Sequence, residues 1–338
     1  MKKPKSVNLA LQGGGAHGAF TWGVLDRLLE DGSLTFEAIS GTSAGAMNAV
    51  VLADGWVQGG QDGAREALER FWRAVAKAAT ASPLQRNPFN RLFGDWSLDN
   101  SPGYLFFDVV SRLASPYELN PLNLNPLRDL LEAQVDFERV ESCNRIKLFL
   151  TATNVHTGRA RVFKTDEITA DVVLASACLP FLFQAVEIEG VPYWDGGYLG
   201  NPALWPFFNA CSSEDVLLVQ INPLEREETP KTARDILNRL NEITFNASLM
   251  KELRAIEFVS RLIDSGQLDS ADYKQIRLHR IHDDEAMTQL SASSKLNAEW
   301  DFLRYLKDLG RQATDRWLEE TLGDIGQRSS VDINQLFR

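Results

Sequence analysis

The first half of the chain alternates short apolar runs with amphipathic stretches, and this alternation restricts the fold more than any other feature of the sequence. Four short runs rich in β-forming residues predict strands: Val7–Leu11, Thr35–Ile39, Ile146–Ala152 and Val216–Ile221. The first two are followed by helical patterns at His17–Gly32 and Ala44–Ala53. Strands that alternate with helices favour an α/β fold with a largely parallel sheet and helices on its faces.

The second half of the chain has a different pattern. Apolar residues keep helical spacing beyond Pro230, interrupted by an alternating run at Gln275–His282 that predicts a late strand. We therefore divide the 338 residues into an α/β domain over residues 1–225 and a mostly helical region over residues 226–338, packed on that domain. Residues 82–126 hold six prolines with aromatic residues between them, which predicts either a lid or lipid-contacting surface or an ordinary packed excursion.

Charge and cysteine content exclude several classes of protein. The chain has 35 Lys and Arg against 46 Asp and Glu, a formal net charge of −11, which disfavours a nucleic-acid partner. The three cysteines, with no CxxC pair, argue against a disulfide scaffold or a structural zinc site and favour the reducing cytoplasm: Cys143, Cys178 and Cys211. Residues 6–25 are uncharged and follow a basic start, but their apolar part is too short for a signal peptide or a transmembrane helix.

The most informative motif lies between the second predicted strand and the helix that follows it. Gly41-Thr42-Ser43-Ala44-Gly45 matches G-x-S-x-G, the nucleophile elbow of serine hydrolases. In such an elbow a tight turn exposes the serine, and the glycines at both ends let other backbone pass close by. The helix N-terminus behind the turn favours negative charge that develops during a reaction. Ser43 is therefore a candidate nucleophile.

A second glycine-rich turn, Gly13 to Gly18, follows the first predicted strand. It fits G-x-G-x-x-G, so an NAD(P)-binding enzyme is one alternative, with Glu37 near the position of the acidic residue that such a fingerprint requires. This interpretation leaves the serine elbow unexplained. The same glycine N–H groups serve equally well as an oxyanion hole, which would make the two turns the halves of one acyl-transfer site.

The sequence offers two candidates for the base. The chain has four histidines, and the order Ser43, an aspartate, then His279 or His282 would suit an α/β-hydrolase triad, although the elbow is very early for that fold. The other candidate is Asp195, framed by Trp194 and two glycines; Asp-Gly is also a turn signal in its own right.

Taken together, the motifs resemble the patatin-like phospholipases, over about Val7–Pro206. They are the glycine turn Gly13–Gly18, the elbow around Ser43 and the segment Asp195-Gly196-Gly197, with Leu174–Pro180 similar to the helix-to-proline segment before the family's aspartate. The resemblance implies a three-layer α/β sandwich and a calcium-independent lipid acyl hydrolase of phospholipase A, lysophospholipase or carboxylesterase type. It implies no cofactor or metal. The family usually has Arg or Lys where this chain has His17.

The resemblance also implies roles for individual residues. Ser43 would be the nucleophile, Asp195 the proton acceptor, and the backbone of Gly13, Gly14 and Gly15 the oxyanion hole. Five further glycines would support the motifs: Gly18, Gly41, Gly45, Gly196 and Gly197. The expected partner is a lipid or fatty-acyl ester, with peripheral contact to a lipid surface through Trp56 and the aromatics of residues 82–107, which include Phe106 and Phe107. A non-catalytic descendant of the fold is a further alternative, and lipid class and oligomeric state stay open.

Overall fold

A computed structural model describes residues 4–269 and 272–337 of the chain, with the side chains of Phe107, Arg112, Arg234 and Phe337 left undescribed. Residues 1–3 of the basic start lie outside the described residues. No helix in the described part is long and apolar enough to cross a membrane.

Eight strands of the described residues form one sheet. They are β1 Lys5–Leu11, β2 Leu34–Gly41, β3 Lys147–Asn154, β4 Arg159–Lys164, β5 Val186–Ile188, β6 Val191–Asp195, β7 Asp215–Val219 and β8 Arg277–Ile281. Hydrogen-bonded pairs link the strands in the series β5-β6-β3-β2-β1-β7-β8, and β4 also pairs with β3. The pairs β3–β2, β2–β1, β1–β7 and β7–β8 are parallel, and β4, β5 and β6 add antiparallel pairs at one end. The predicted α/β fold with a largely parallel sheet is confirmed.

Twelve α-helices surround the sheet in the described residues. They are α1 Gly18–Asp31, α2 Ala44–Ala79, α3 Pro88–Leu92, α4 Pro102–Leu113, α5 Pro116–Leu119, α6 Pro126–Gln134, α7 Phe137–Glu141, α8 Ala170–Ser176, α9 Pro206–Ala210, α10 Ala233–Asp264, α11 Asp284–Thr288 and α12 Trp300–Glu320. The helix predicted at Ala44–Ala53 continues to Ala79 through a kink at Gly59 and Gly60. The late helices α10 and α12 give the C-terminal region its helical character.

The proline-rich stretch of residues 82–126 folds into short helices. Prolines occupy the first helical position of α3, α4, α5 and α6, where a missing N–H costs nothing because that group has no partner inside a helix. The prolines therefore start helices here, and the longest, α4, has 12 residues.

The C-terminal region packs directly on the first half of the chain. Helix α12 lies along α1, so close at Gly23 that a Cβ there would come within 2.0 Å of the Lys307 carbonyl oxygen. Arg311 of α12 also pairs with Asp26 of α1. Residues well beyond 226 are thus held near the glycine turn that precedes α1.

Candidate active site

One edge of strand β3 brings the elbow and Asp195 together. The residues of β3 that pair with β4 overlap both those that pair with β2 and those that pair with β6. Because a strand has only two edges, β2 and β6 both lie along the edge of β3 opposite β4. Along that edge β2 ends at Gly41, opposite Leu150, while β6 runs the other way and ends at Asp195, opposite Ala152. Two residues of a strand span about 7 Å, so the C-terminal ends of β2 and β6 meet head to head.

Ser43 sits on a strained turn between β2 and α2. Its φ of 56° and ψ of −121° lie in a region that non-glycine residues rarely adopt. A Cβ at Gly41 would lie 2.6 Å from the Gly45 carbonyl oxygen, and a Cβ at Gly45 would lie 2.2 Å from that of Leu11. Only glycine at these two positions permits the turn to close against β1.

Ser176 holds the elbow in place. Its Oγ accepts a hydrogen bond from the Ser43 N–H at 3.0 Å and donates one to the Thr151 carbonyl at 2.7 Å. Thr151 lies on β3 between Leu150, which pairs with the end of β2, and Ala152, which pairs with the end of β6. The same strand that aligns the two strand ends therefore also fixes the backbone of the candidate nucleophile.

The Asp195 side chain is 1% exposed and is held by the backbone around it. Its Oδ1 accepts the Gly197 N–H at 2.7 Å, within the short turn formed by Gly196 and Gly197, while Oδ2 has no hydrogen-bond partner among the described residues. Burial raises the pKa of Asp195 to about 7, against the opposing effects of the Gly197 amide and the nearby Ser43 hydroxyl. The two candidate catalytic groups are neighbours, although they do not reach ordinary hydrogen-bond geometry.

The glycine turn after β1 is held by two asparagines. The Gly13 N–H donates to Asn201 Oδ1 at 2.7 Å, and Asn222 Nδ2 donates to the Gly13 carbonyl at 2.7 Å. The N–H groups of Gly14 and Gly15 make no hydrogen bond within the described residues. Of the three predicted oxyanion donors, Gly13 is therefore already engaged, and Gly14 and Gly15 remain free to bind a ligand.

A cavity of about 240 Å³ opens onto these groups, and its lining includes Ser43, Asp195, Gly14 and Gly15. Most of the remaining wall is apolar or aromatic: Tyr104, Leu179, Phe181, Leu182, Tyr198, Phe245 and Leu296. Asn238, Asn241 and Lys295 add polar groups. The cavity therefore combines the hydroxyl of a candidate nucleophile, a carboxylate and two free amides with largely apolar walls.

The histidines considered as alternative bases lie elsewhere. His279 is on β8, three strands from β2, and bonds to Asp215 and Ser330 at 3.0 Å each. His282 pairs with Asp284. His156 is exposed in the turn between β3 and β4.

His17, the remaining histidine, is buried and bonds through Nε2 to Ser294 Oγ at 2.7 Å. Burial, with help from the charges of Lys295 and Arg226, holds the pKa of His17 well below its usual value. His17 is therefore neutral and supplies no positive charge beside the glycine turn.

Glu37, which an NAD(P) site would use, is committed to other contacts. It lies inside β2, four residues before the end of the strand, and accepts hydrogen bonds from the Ser212 and Ser213 amides and from Lys147. The carboxylate is thus occupied by protein groups away from the carboxyl edge of the sheet.

Four residues at the site were not found by sequence reasoning: Ser176, Asn201, Asn222 and Lys295. Each acts through a contact made across more than 70 residues of sequence, such as the 188 residues between Gly13 and Asn201. Ser176 alone had a local signal, because it lies in the Leu174–Pro180 segment that resembles the family.

Comparison with known proteins identifies the family. The family model described as patatin-like phospholipase matches residues 9–208, which is more than half of the chain. The chain therefore belongs to the patatin-like phospholipase family and has its fold, a mostly parallel sheet flanked by helices, here with a helical C-terminal region. Membership supports lipid acyl hydrolase activity in broad terms.

Solved structures show more distant likeness. The crystal structure of VipD from Legionella pneumophila aligns with 17% identity and a TM-score of 0.37 over 90% of this chain and 67% of that one. A structure of the ExoU–SpcU complex from Pseudomonas aeruginosa aligns with 15% identity and a TM-score of 0.31, over 90% of this chain but only 53% of that one. No curated protein sequence gives a significant match.

Proposed function

We propose that this member of the patatin-like phospholipase family cleaves fatty-acyl esters of lipids through a Ser43–Asp195 dyad. One observation carries the proposal: Ser43, Asp195 and the free N–H groups of Gly14 and Gly15 line a single cavity with apolar walls. A nucleophile, a base and oxyanion donors around one space are the requirements of acyl transfer.

The first step is acylation of the serine. Ionised Asp195 takes the proton from Ser43 Oγ as that oxygen bonds to the ester carbonyl carbon. The pair of electrons of the carbonyl bond moves onto oxygen, and the oxyanion accepts hydrogen bonds from Gly14 and Gly15. Collapse of this intermediate breaks the ester bond, the leaving alcohol takes the proton from Asp195, and the acyl group stays on Ser43.

The second step regenerates the enzyme. Asp195 accepts a proton from water as the water oxygen attacks the acyl carbon, and the same amides hold the new oxyanion. Ser43 leaves with the proton from Asp195, and the fatty acid is released. Because the pKa of Asp195 is raised to about 7 by burial, its carboxylate is a better base than an ordinary aspartate.

The backbone amides stabilise the transition state in addition to the action of the base. Loss of one oxyanion donor typically costs about 3–4 kcal/mol of transition-state stabilisation. Ser43 is also the residue before α2, so the positive end of that helix dipole lies behind the reacting carbon.

The surroundings of the cavity suit a lipid surface. Phe181 lines the cavity and is 72% exposed, which places it at the mouth. The α3–α6 segment, which contributes Tyr104 to the cavity wall, carries further large apolar side chains that are more than 70% exposed: Phe89, Leu92, Phe93, Phe106, Leu113 and Leu122. We call these six residues and Phe181 the apolar face. The net charge of −11 favours a neutral or zwitterionic surface as its occupant.

The lid interpretation of residues 82–126 belongs to this proposal, as does a peripheral position on a lipid surface. The side chain of Phe107, one of the predicted contact residues, lies outside the described side chains. The three cysteines are free thiols, as suits the reducing cytoplasm that we propose as the compartment.

The direct test is a hydrolysis panel of phospholipids, lysophospholipids, glycerides and simple carboxylic esters, with the released products identified by mass spectrometry. We expect free fatty acid from at least one lipid class and none from Ser43→Ala. Hydrolysis that survives Ser43→Ala would exclude the dyad. Wild-type inactivity on every class would refute the proposed function.

A further inference from the structure

We propose that Lys295 is a positioning residue of the oxyanion hole, which polarises the Gly13–Gly14 peptide through the side-chain amide of Asn222. The inference rests on the proposed function, because it assigns a role to a residue beside the same reacting carbon. The family model matches residues 9–208, and both Asn222 and Lys295 lie beyond them. The C-terminal region would therefore contribute to the candidate site.

A continuous chain of hydrogen bonds links the ammonium group to the glycine turn. Lys295 Nζ donates to Asn222 Oδ1 at 2.9 Å, and Asn222 Nδ2 donates to the Gly13 carbonyl at 2.7 Å. The Gly13 carbonyl and the Gly14 N–H belong to one peptide group. Gly14 offers one of the two free amides in the cavity, so the chain ends on a candidate oxyanion donor.

The chemistry of the two ends fixes the direction of polarisation. An ammonium group can only donate and a carbonyl oxygen can only accept, so the Asn222 amide has one possible orientation between them. Each hydrogen bond in such a chain strengthens the next, because electron density shifts towards the cation. The Gly14 N–H thereby becomes a stronger donor to a negatively charged oxygen.

The segment that carries Lys295 is seated on the glycine turn. Ser294 Oγ bonds to His17, and the Lys295 carbonyl oxygen would lie 2.4 Å from a Cβ on Gly15, whose φ is +59°. Gly15 is therefore required both by its conformation and by the close approach of residue 295. This seating places the ammonium group next to the turn.

Burial lowers the pKa of the Lys295 ammonium group, and the nearby charges of Glu242 and Arg226 act on it in opposite directions, Glu242 favouring the charged form. Among the described residues Lys295 forms no ion pair, whereas nearby Glu242 pairs with Arg226 at 2.7 Å and Arg239 at 3.2 Å. His17 is neutral, as shown above. Lys295 is thus the cation that lines the cavity and bonds, through one amide, to the turn.

The experiment compares kcat and KM of Lys295 variants on a soluble uncharged ester, such as p-nitrophenyl butyrate, and on an anionic phospholipid. For Lys295→Met we expect kcat to fall about 10-fold on both substrates with KM nearly unchanged, because a donor is weakened without being removed. Lys295→Arg should recover most of the activity. Lys251→Met, at an exposed position on α10, is the matched control and should not change kcat.

A second variant interrupts the hydrogen-bond chain from Lys295 to the Gly13 carbonyl while keeping the Lys295 side chain in place. Asn222→Asp keeps an acceptor for Lys295 but cannot donate to the Gly13 carbonyl, so kcat should fall although the contact with the ammonium group is retained.

Unchanged kcat in folded Lys295→Met or Asn222→Asp would overturn the inference. So would a loss confined to KM for the anionic substrate, which would make Lys295 a headgroup contact. Wild-type inactivity on all esters would instead refute the proposed function.

Discussion

Asp195→Asn should inactivate the enzyme and at the same time stabilise it at alkaline pH. The substitution replaces a buried carboxylate by a neutral group of the same shape. Its carbonyl oxygen can still accept the Gly197 N–H, which now bonds to Oδ1 at 2.7 Å. The carboxylate of the wild type, in contrast, must be ionised to act as a base, and it is 1% exposed.

The magnitude follows from the pKa of Asp195, raised by burial from 3.8 to about 7. Because the folded state binds this proton more tightly than the unfolded state, folding stability falls as pH rises from about 4 to about 7 and stays low above that. Relative to acid pH, where Asp195 is protonated in both states, the free energy of unfolding is lower by roughly 2 kcal/mol at pH 5 and roughly 4 kcal/mol at pH 8, at about 1.4 kcal/mol per pKa unit. The new Asn amide, if left without an acceptor, offsets about 1–3 kcal/mol of the gain at both pH values.

The assay is urea unfolding of wild type and Asp195→Asn at pH 5 and pH 8. All other titrating groups are common to the two proteins, so the change in their stability difference isolates Asp195. We expect that difference to shift by about 2–3 kcal/mol in favour of the variant between pH 5 and pH 8. A difference that is the same at both pH values would refute the raised pKa, and full esterase activity of the variant would refute its role as base.

Three other predictions test separate parts of the account. Wild-type kcat/KM should rise with pH and level off above about pH 7, since Asp195 must be ionised in the free enzyme; a rate flat from pH 5 to pH 8 would contradict this. Ser176→Ala leaves the buried Ser43 N–H without its acceptor, so urea unfolding should show a loss of about 1–3 kcal/mol, together with a lower kcat; unchanged values for both would show that Ser176 does not hold the elbow. Phe89→Ser combined with Phe106→Ser should reduce hydrolysis of zwitterionic vesicles more than hydrolysis of a soluble ester, whereas Phe258→Ser, exposed on α10, should affect neither; equal losses on the two substrates would remove the apolar face as the lipid contact.

Local patterns in the sequence were enough to predict the parallel core of the fold. β1, β2, β3 and β7 lie where short apolar runs predict strands, because a buried parallel strand needs a continuous run of apolar residues. β8 lies within the alternating run at Gln275–His282. β4, β5 and β6 were not predicted. β4 and β5 carry exposed residues, and all three strands lie at or near one end of the sheet, so burial leaves a weaker pattern in them.

Part of the candidate site could be predicted from the sequence because its motifs directly follow predicted strands. The elbow and the glycine turn could be placed from the sequence, since turns after neighbouring parallel strands meet at one edge of the sheet. Asp195 was chosen by motif and resemblance, and its nearness to Ser43 depends on an antiparallel pairing of β6 with β3 that local patterns do not reveal. Asn222 and Lys295 were missed because their roles come from tertiary contacts.

The central claim is that the Ser43 hydroxyl is the nucleophile, activated by Asp195 and assisted by the glycine amides. Intact-mass and peptide mass spectrometry after treatment with a fluorophosphonate lipid analogue tests it most directly. We expect one adduct per chain, located on Ser43, formed much more slowly in Asp195→Asn and absent in Ser43→Ala. An adduct on another residue, or equal labelling of Ser43→Ala, would contradict the account.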